Sequence, residues 1–210
     1  MIPNKFAAPS SSVQPRRSVT FNNHGTDAVD SLQHPHSQLI ATPLILSQVR
    51  HRLHEALRHF DGNACSVTWV EREIEEQPRV VQKREHFVAM MEVFASATSF
   101  ATHIFPLRHM AAFGDISSAE IDDLARVLRN LLAKIDVGLE NPELNFAVRS
   151  GPSDYASARH FHGYVMAIPR LTRGAGFELG SGMFINRVLP EAAAEFLSKV
   201  SAEKSLGAVR

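Results

Sequence analysis

The strongest local signal in the sequence is one long amphipathic helix over residues 117–138. Ser117 and Glu120 have the spacing of a capping box, and Gly138 stands where such a helix would stop. Between them, apolar side chains recur at helical spacing and form one stripe: Ile121, Leu124, Leu128, Leu131, Leu132 and Ile135. The segments on either side of this helix therefore decide the fold class.

Those flanking segments have mainly strand character, because β-branched and aromatic residues stand among polar ones. The predicted strands cover residues 18–23, 34–44, 79–94, 100–107, 144–150 and 160–168. We expect the third and fourth of these strands to pair as a hairpin.

Two further helices are predicted at either end of the chain. One runs from Ser47 to a stop before Asp61, and the other opens at Pro190 with three side chains facing inward: Phe196, Leu197 and Val200. The order of strands, helix, strands and helix favours an α+β fold with a mainly antiparallel sheet over a doubly wound fold. No Rossmann or Walker glycine pattern is present.

Composition excludes several classes of partner. Lys plus Arg and Asp plus Glu balance at 22 each, so no excess of positive charge attracts nucleic acid or an anionic membrane. No apolar run approaches the roughly 18 residues that span a bilayer. The single cysteine, Cys65, excludes an internal disulfide and fits a reducing, cytoplasmic location. Residues 1–17 are predicted to be a disordered arm, and residues 204–210 a tail.

The polar residues His34, His36 and Gln38 alternate, so on a strand their side chains would share one face. A neutral imidazole can attack phosphorus and leave again, which suits a double-displacement transfer. Paired histidines on a strand are also often metal ligands or ordinary surface residues. Pro35 cannot donate a sheet hydrogen bond, so this strand is expected at an edge of the sheet.

The segment FNNHGTDAVDSLQHPHSQLIA resembles the active-site segment of the galactose-1-phosphate uridylyltransferase family, part of the histidine-triad superfamily. The resemblance continues in order through REHFVAMMEVFASATSFATHIFPLRHMAAF, HFHGYVMAIPRL and AGFELGSGMFINRVLPEAAAEFL, and it covers most of residues 18–200. It implies a HIT-like fold, with a partial first lobe at 18–62 and a complete second lobe at 63–203 of a two-lobed transferase.

By this resemblance His36 is the nucleophile that takes a nucleoside monophosphate from a nucleotide sugar and passes it to a sugar phosphate. Gln38 is implied to hydrogen-bond the transferred phosphoryl group, and since an amide cannot shuttle protons, transfer is favoured over hydrolysis. Asn23 and Ser31 are implied to contact the nucleotide phosphates. For Ser31, a turn-forming role before a strand is an equal alternative.

The glycine-rich segment 174–182 is predicted to be a turn. By resemblance it contacts the sugar phosphate through Phe177, Glu178, Gly180 and Gly182, although a plain connector is the alternative. Glycines allow close approach of the backbone and expose amides to an anion.

Two metal sites are implied by the resemblance, with zinc as the first choice and iron as the second. His34 would belong to a structural zinc site whose other ligands come from a preceding segment without a counterpart here. His109, His160 and His162 would belong to a second site. Relatives complete it with a Cys-x-x-Cys pair near residues 64–67, where this sequence reads ACSV, so ordinary buried histidines are the alternative.

Three functions remain open. The leading hypothesis is a UDP-sugar:hexose-1-phosphate uridylyltransferase; the second is a phosphorylase or adenylyltransferase acting on an ADP-sugar or a dinucleoside polyphosphate. The third is a non-catalytic module that binds nucleotide sugars or proteins, since Val29 and Asp30 replace the small residues that usually precede Ser31. A bare strand edge and exposed apolar surface would favour a homodimer.

Overall fold

The computed structural model describes residues 17–25, 28, 34, 36–43, 47–61, 66–92, 98–151, 159–172 and 175–202. Apart from residue 17, the predicted arm lies outside these ranges, as do the predicted tail, Ser31 and Cys65. In the part of the chain that the structure describes, no helix is both long and apolar enough to cross a membrane.

The described strands form one antiparallel sheet of seven, in the order β2-β1-β6-β7-β5-β4-β3. Their bounds are β1 Arg17–His24, β2 Ser37–Thr42, β3 Val80–Lys83, β4 Phe87–Met91, β5 Thr102–Pro106, β6 Leu144–Arg149 and β7 Tyr164–Pro169. The predicted α+β class with a mainly antiparallel sheet is confirmed, and β2 lies at an edge as its sequence indicates. Strand β1 of the predicted first lobe pairs with β6 of the predicted second lobe, and the division of the chain at residue 62 stays a prediction.

Helices cover both faces of the sheet. Their bounds are α1 Ser47–Asp61, α2 Ser66–Glu76, α3 Ser118–Gly138, α4 Gly176–Ser181 and α5 Pro190–Lys199, with a short 3-10 turn at Phe113–Asp115. Helices α3 and α5 pack on one face, where Leu131 and Leu197 are fully buried. On the opposite face, Val70 of α2 packs near Val88 and Phe105, and α1 buries Val49 and Leu53 near Phe161.

Helix α3 begins with the predicted capping box. Ser117 Oγ accepts from the Glu120 amide at 3.4 Å, and the Glu120 carboxylate accepts from the Ser117 amide at 2.8 Å. The core-facing side differs in part from the predicted stripe, because Ile121 is 50% exposed while Val127 is fully buried. Phe196 of α5 was also predicted to face inward, but it is 44% exposed. It lies at the rim of the core, where its ring contacts Phe100.

Three predicted strands differ from the structure by more than two residues at one end. The segment 79–94 is two strands, β3 and β4, because the Asp123 carboxylate binds the turn between them through the Arg84 side chain (2.7 Å) and the His86 amide (2.9 Å). The predicted strand 160–168 begins only at Tyr164, since the Gly163 amide donates to Met110 instead of to a neighbouring strand. The predicted strand 34–44 begins at Ser37.

Glu120 should make the stability of the fold sensitive to acid. The hydrogen bond from Arg108 is the main cause that lowers the pKa of Glu120 from 4.5 to about 2, with further help from Ser117. A lowered folded-state pKa contributes stability above pH 4.5, and this stability is lost as the pH falls from about 4.5 towards 2.

We expect Glu120→Gln to lower the free energy of unfolding at pH 7 by about 1–2 kcal/mol, because the glutamine amide can still cap the helix but leaves Arg108 without its carboxylate. Urea unfolding at pH 7 and pH 3 measures this, with the exposed Glu75→Gln as the matched control. The stability loss of the variant should be smaller at pH 3 than at pH 7. An unchanged pH dependence would contradict the assignment.

The expected association of copies stays a prediction. Leu39 and Ile40 on the edge strand β2 are 52% and 54% exposed, which is the kind of surface on which that expectation rests.

Candidate active site

His36 lies directly before edge strand β2 and is half-buried. Its backbone is held by the neighbouring strand, because the Asn22 side-chain amide of β1 donates to the His36 carbonyl at 2.6 Å. Asn22 itself pairs with Ser37 in the β1–β2 register. A hydrogen bond from β1 therefore fixes the backbone that carries the imidazole.

The hydrogen bonds of the His36 ring determine which nitrogen can react. Nδ1 lies 3.0 Å from the carbonyl oxygen of His34, and because a carbonyl only accepts, Nδ1 must carry the proton. Nε2 is then the unprotonated nitrogen, and it lies 3.4 Å from Nε2 of Gln38, whose amide can donate to its lone pair. This contact is long and weak, so a ligand can displace it.

The predicted row of three side chains on one strand face is correct for two of its members. His36 and Gln38 approach each other as expected. His34 lies before the strand and is exposed, so it does not belong to the alternation. It contributes instead through its backbone carbonyl, which no pattern of side chains could have indicated.

Asn23 on β1 is held by a chain of hydrogen bonds that the sequence did not indicate. The Asn145 amide of β6 donates to Asn23 Oδ1 at 2.8 Å and to the Ala28 carbonyl at 3.0 Å, while Arg170 Nε donates to Asn145 Oδ1 at 2.5 Å. Because the oxygen of Asn23 is engaged, its NH₂ group is the part that remains for a ligand. A donor is the group that phosphate oxygens require.

The predicted glycine-rich turn is a short helix. Helix α4 is closed at its start by Glu178, whose carboxylate accepts from the Ala175 amide at 3.0 Å, and at its end by Gly182 at φ +71°. Phe177 is 54% exposed, and a Cβ at Gly180 would meet nothing within 4 Å. The substrate contacts assigned to this segment, and to Ser31 outside the described residues, remain predictions.

The histidines of the second implied metal site are engaged by the backbone. His162 is buried; its Nε2 lies 3.0 Å from the Pro106 carbonyl and its Nδ1 accepts from the Met110 amide at 3.3 Å. Burial is the main cause that lowers the pKa of His162 to about 4, so the ring is neutral near pH 7. His109 is similarly turned to a carbonyl, with Nε2 2.9 Å from that of Phe161.

This arrangement does not fit a bound metal. Both nitrogens of His162 are occupied, and its ring is 5.8 Å from the His109 ring, centroid to centroid. Among the described residues, which include His34 and His160, no group of three or more His, Cys, Asp or Glu side chains could hold an ion. No step of the chemistry below is assigned to a metal.

Comparison with known proteins places this geometry in context. No protein-family model matches the chain. The ADP-glucose phosphorylase of Arabidopsis thaliana is 30% identical over 185 residues, which are 86% of this chain and 51% of that protein. The galactose-1-phosphate uridylyltransferase of Thermotoga maritima is 29% identical over 192 residues, covering 87% of this chain and 60% of that protein.

The fold is shared as well. The crystal structure of the Arabidopsis thaliana ADP-glucose phosphorylase with bound ADP-glucose superposes with a TM-score of 0.80 at 28% identity, covering 88% of this chain and 58% of that one. The class is therefore the α+β fold common to galactose-1-phosphate uridylyltransferases and ADP-glucose phosphorylases. The chain is a relative of the galactose-1-phosphate uridylyltransferases and the ADP-glucose phosphorylases in sequence and in fold. It spans about half the length of the curated relatives it matches.

Proposed function

We propose that this chain is a nucleotidyltransferase that moves a nucleoside monophosphate from a nucleotide sugar to an acceptor phosphate through a covalent intermediate on His36. The observation that carries the proposal is the hydrogen bonding of the His36 ring. The His34 carbonyl holds the proton on Nδ1, which leaves Nε2 with a lone pair beside the Gln38 amide. This is the tautomer that a histidine nucleophile needs.

In the first half-reaction, Nε2 of His36 attacks the α-phosphorus of the nucleotide sugar. The N–P bond forms as the bond to the bridging oxygen breaks, and the electron pair leaves with the sugar 1-phosphate. The ring then carries a positive charge, which the His34 carbonyl dipole stabilises at Nδ1–H. In the second half-reaction an acceptor phosphate oxygen attacks phosphorus, the N–P bond breaks, and the lone pair returns to Nε2.

Gln38 suits this cycle because neither step needs a proton transfer at the leaving group. A phosphate leaves as a stable anion, so the site requires a donor to the phosphoryl oxygens and no general acid. The Gln38 amide, beside Nε2, supplies such a donor, and the Asn23 NH₂ group supplies a second one on the adjoining strand. Both act by lowering the energy of the negative charge that develops at phosphorus.

Two substrate pairs fit this chemistry. A UDP-sugar with a hexose 1-phosphate as acceptor is the reaction type of the uridylyltransferases, whereas an ADP-sugar with inorganic phosphate is that of the phosphorylases. The similarity to the Arabidopsis ADP-glucose phosphorylase and to the Thermotoga uridylyltransferase supports the two readings equally. They share the first half-reaction and differ in the base and the acceptor.

The covalent step can be tested directly by intact-protein mass spectrometry. The purified chain is mixed with UDP-glucose or with ADP-glucose, and any adduct is mapped by peptide sequencing. We expect an added nucleoside monophosphate on His36 from one donor, which identifies the base. If the folded chain gains no adduct from either donor, the transferase proposal is wrong and a non-catalytic nucleotide-sugar-binding module replaces it.

A further inference from the structure

A second group of polar side chains lies on the face of the sheet covered by α1 and α2. We call it the arginine cluster: Arg52 of α1, Arg149 of β6, Tyr164 of β7 and His103 of β5. These residues come from four different elements, and no sequence motif connects them. They are not part of the chemistry assigned to His36.

Among the described residues, Arg149 lacks the carboxylate partner that three other arginines have. Arg79, Arg84 and Arg108 each hydrogen-bond a carboxylate. Within the described residues, the hydrogen bond of the Arg149 guanidinium goes instead to the thioether Sδ of Met166, at 3.0 Å. Sulfur is a weak acceptor, so most of the donors of this guanidinium remain available.

Arg52 brings a second guanidinium to the same place. It donates to the Tyr164 hydroxyl, and its central carbon lies 5.9 Å from the Tyr164 ring centroid. Because that hydroxyl oxygen accepts from Arg52, its own proton is free to be donated onward. Nearness of Arg52 also lowers the pKa of Arg149, behind burial as the main cause, which means that two like charges oppose each other here.

His103 adds an unsatisfied polar atom to the cluster. The side chain is 7% exposed, its ring centroid is 4.6 Å from that of Tyr164, and its Nε2 has no hydrogen-bond partner among the described residues. Glu92 Oε1 is 3.8 Å away, beyond hydrogen-bond distance. Burial, followed by Arg52 and Arg149, lowers the pKa of His103 to about 3, so the ring is neutral near pH 7 and forms no ion pair.

The cluster faces the same side of the sheet as the candidate nucleophile. Directly paired residues of antiparallel strands share a face, and one such row runs through Gln38, Phe21, Ala147, Met166 and His103. Met166, which receives the Arg149 hydrogen bond, is three strand spacings from Gln38, or about 14 Å. The side chain of Arg149 therefore lies over the same surface that leads to His36.

We propose that Arg52 and Arg149, with the Tyr164 hydroxyl, form a second phosphate-binding site, on the same face of the sheet as His36 but separate from the phosphoryl group that His36 would carry. Two guanidiniums against one nearby carboxylate, Glu92, leave a net positive charge that a phosphate neutralises. Guanidinium groups bind phosphate oxygens through paired, charge-assisted hydrogen bonds. A phosphate held about 14 Å from Gln38 cannot itself attack the phosphorus on His36, so this inference does not depend on the proposed function.

The test is calorimetric titration of the purified chain with inorganic phosphate and, separately, with glucose 1-phosphate; glucose is the neutral control. We expect Arg149→Met and Arg52→Met each to weaken binding about tenfold, the usual effect of losing one charge-assisted hydrogen bond. The matched control is Arg129→Met, an exposed arginine on α3 at the opposite face, which should bind as the parent does. Arg52→Met changes a surface side chain, so it tests the site even if Arg149→Met fails to fold.

The results of this titration and of the His36 labelling distinguish the phosphate site from the proposed function. Binding of free phosphate as tight as that of glucose 1-phosphate identifies the phosphate group itself as the ligand, and tighter binding of glucose 1-phosphate identifies a sugar phosphate. Binding unaffected by both arginine changes, or weakened equally by Arg129→Met, overturns the site. If His36 is labelled by a donor but no phosphate binds, this inference fails alone. If phosphate binding depends on both arginines but His36 is never labelled, the proposed function fails alone.

Discussion

Under the proposed mechanism, replacing His36 by alanine is expected to reduce nucleotidyl transfer on the order of 10⁴-fold or more, because it removes the nitrogen that forms the covalent intermediate. The fold should change little. The ring is half-buried at the start of an edge strand, where it contacts the His34 carbonyl and the Gln38 amide, so the free energy of unfolding should fall by less than about 1 kcal/mol. Transfer assays with the preferred donor and urea unfolding measure the two effects.

The matched control is His54→Ala on α1, whose side chain is 66% exposed and paired with Glu55. It should retain the parent's transfer rate. Equal activity of the His36 variant and the parent would contradict the histidine mechanism. A large loss of stability would instead mean that His36 has a structural role.

Replacing Lys134 by methionine is expected to cause a large loss of stability. The ammonium of this buried lysine donates to three carbonyls at the end of α5: Leu197 and Ser198 at 2.9 Å each, and Val200 at 2.7 Å. Methionine keeps the apolar stem and removes the donors together with the charge that favours a helix C-terminus. We expect the free energy of unfolding to fall by about 2–3 kcal/mol, since hydrogen bonds to a charged group are lost while burial of the charge offsets part of their effect.

Urea unfolding at pH 7 measures this change. The control is Lys199→Met, because that lysine is 72% exposed and pairs only with Glu195 one turn away. Its effect should stay within about 0.5 kcal/mol. If the two lysine variants unfold alike, the three carbonyls do not depend on Lys134.

Local signals predicted the parts of the fold that depend on neighbouring residues. The capping box at Ser117 and Glu120 formed as expected, and Pro190 opens α5, because capping groups act within one helical turn. The segment around His36 led to the family and to the approach of Gln38, since two residues this close in sequence have few ways to be placed. Helix α2 was missed, because its Trp69, Val70 and Ile74 spacing was too short a pattern to separate from a loop.

Three features of the structure differ from what residue spacing indicated, because hydrogen bonds to the backbone decide them. His34 left the predicted row because the strand begins three residues later, and strand limits depend on hydrogen bonds to a partner strand. The segment 174–182 folded into a helix closed by Glu178 and Gly182, where its glycines suggested an open turn. Sequence spacing alone did not show that the backbone engages both nitrogens of His162.

By itself, the sequence determined the class of fold and the resemblance to the uridylyltransferases, and it selected His36 as the candidate nucleophile, because each depends on residue types in a local order. Only the tertiary structure decided which nitrogen of His36 carries the proton, that Asn145 and Arg170 orient Asn23, and that Arg52 and Arg149 meet at Tyr164. Those relations join residues up to 122 positions apart. The contacts of Asn23 follow from the pairing of β1 with β6, and the meeting of Arg149 with Tyr164 follows from the pairing of β6 with β7; no local pattern specifies either pairing.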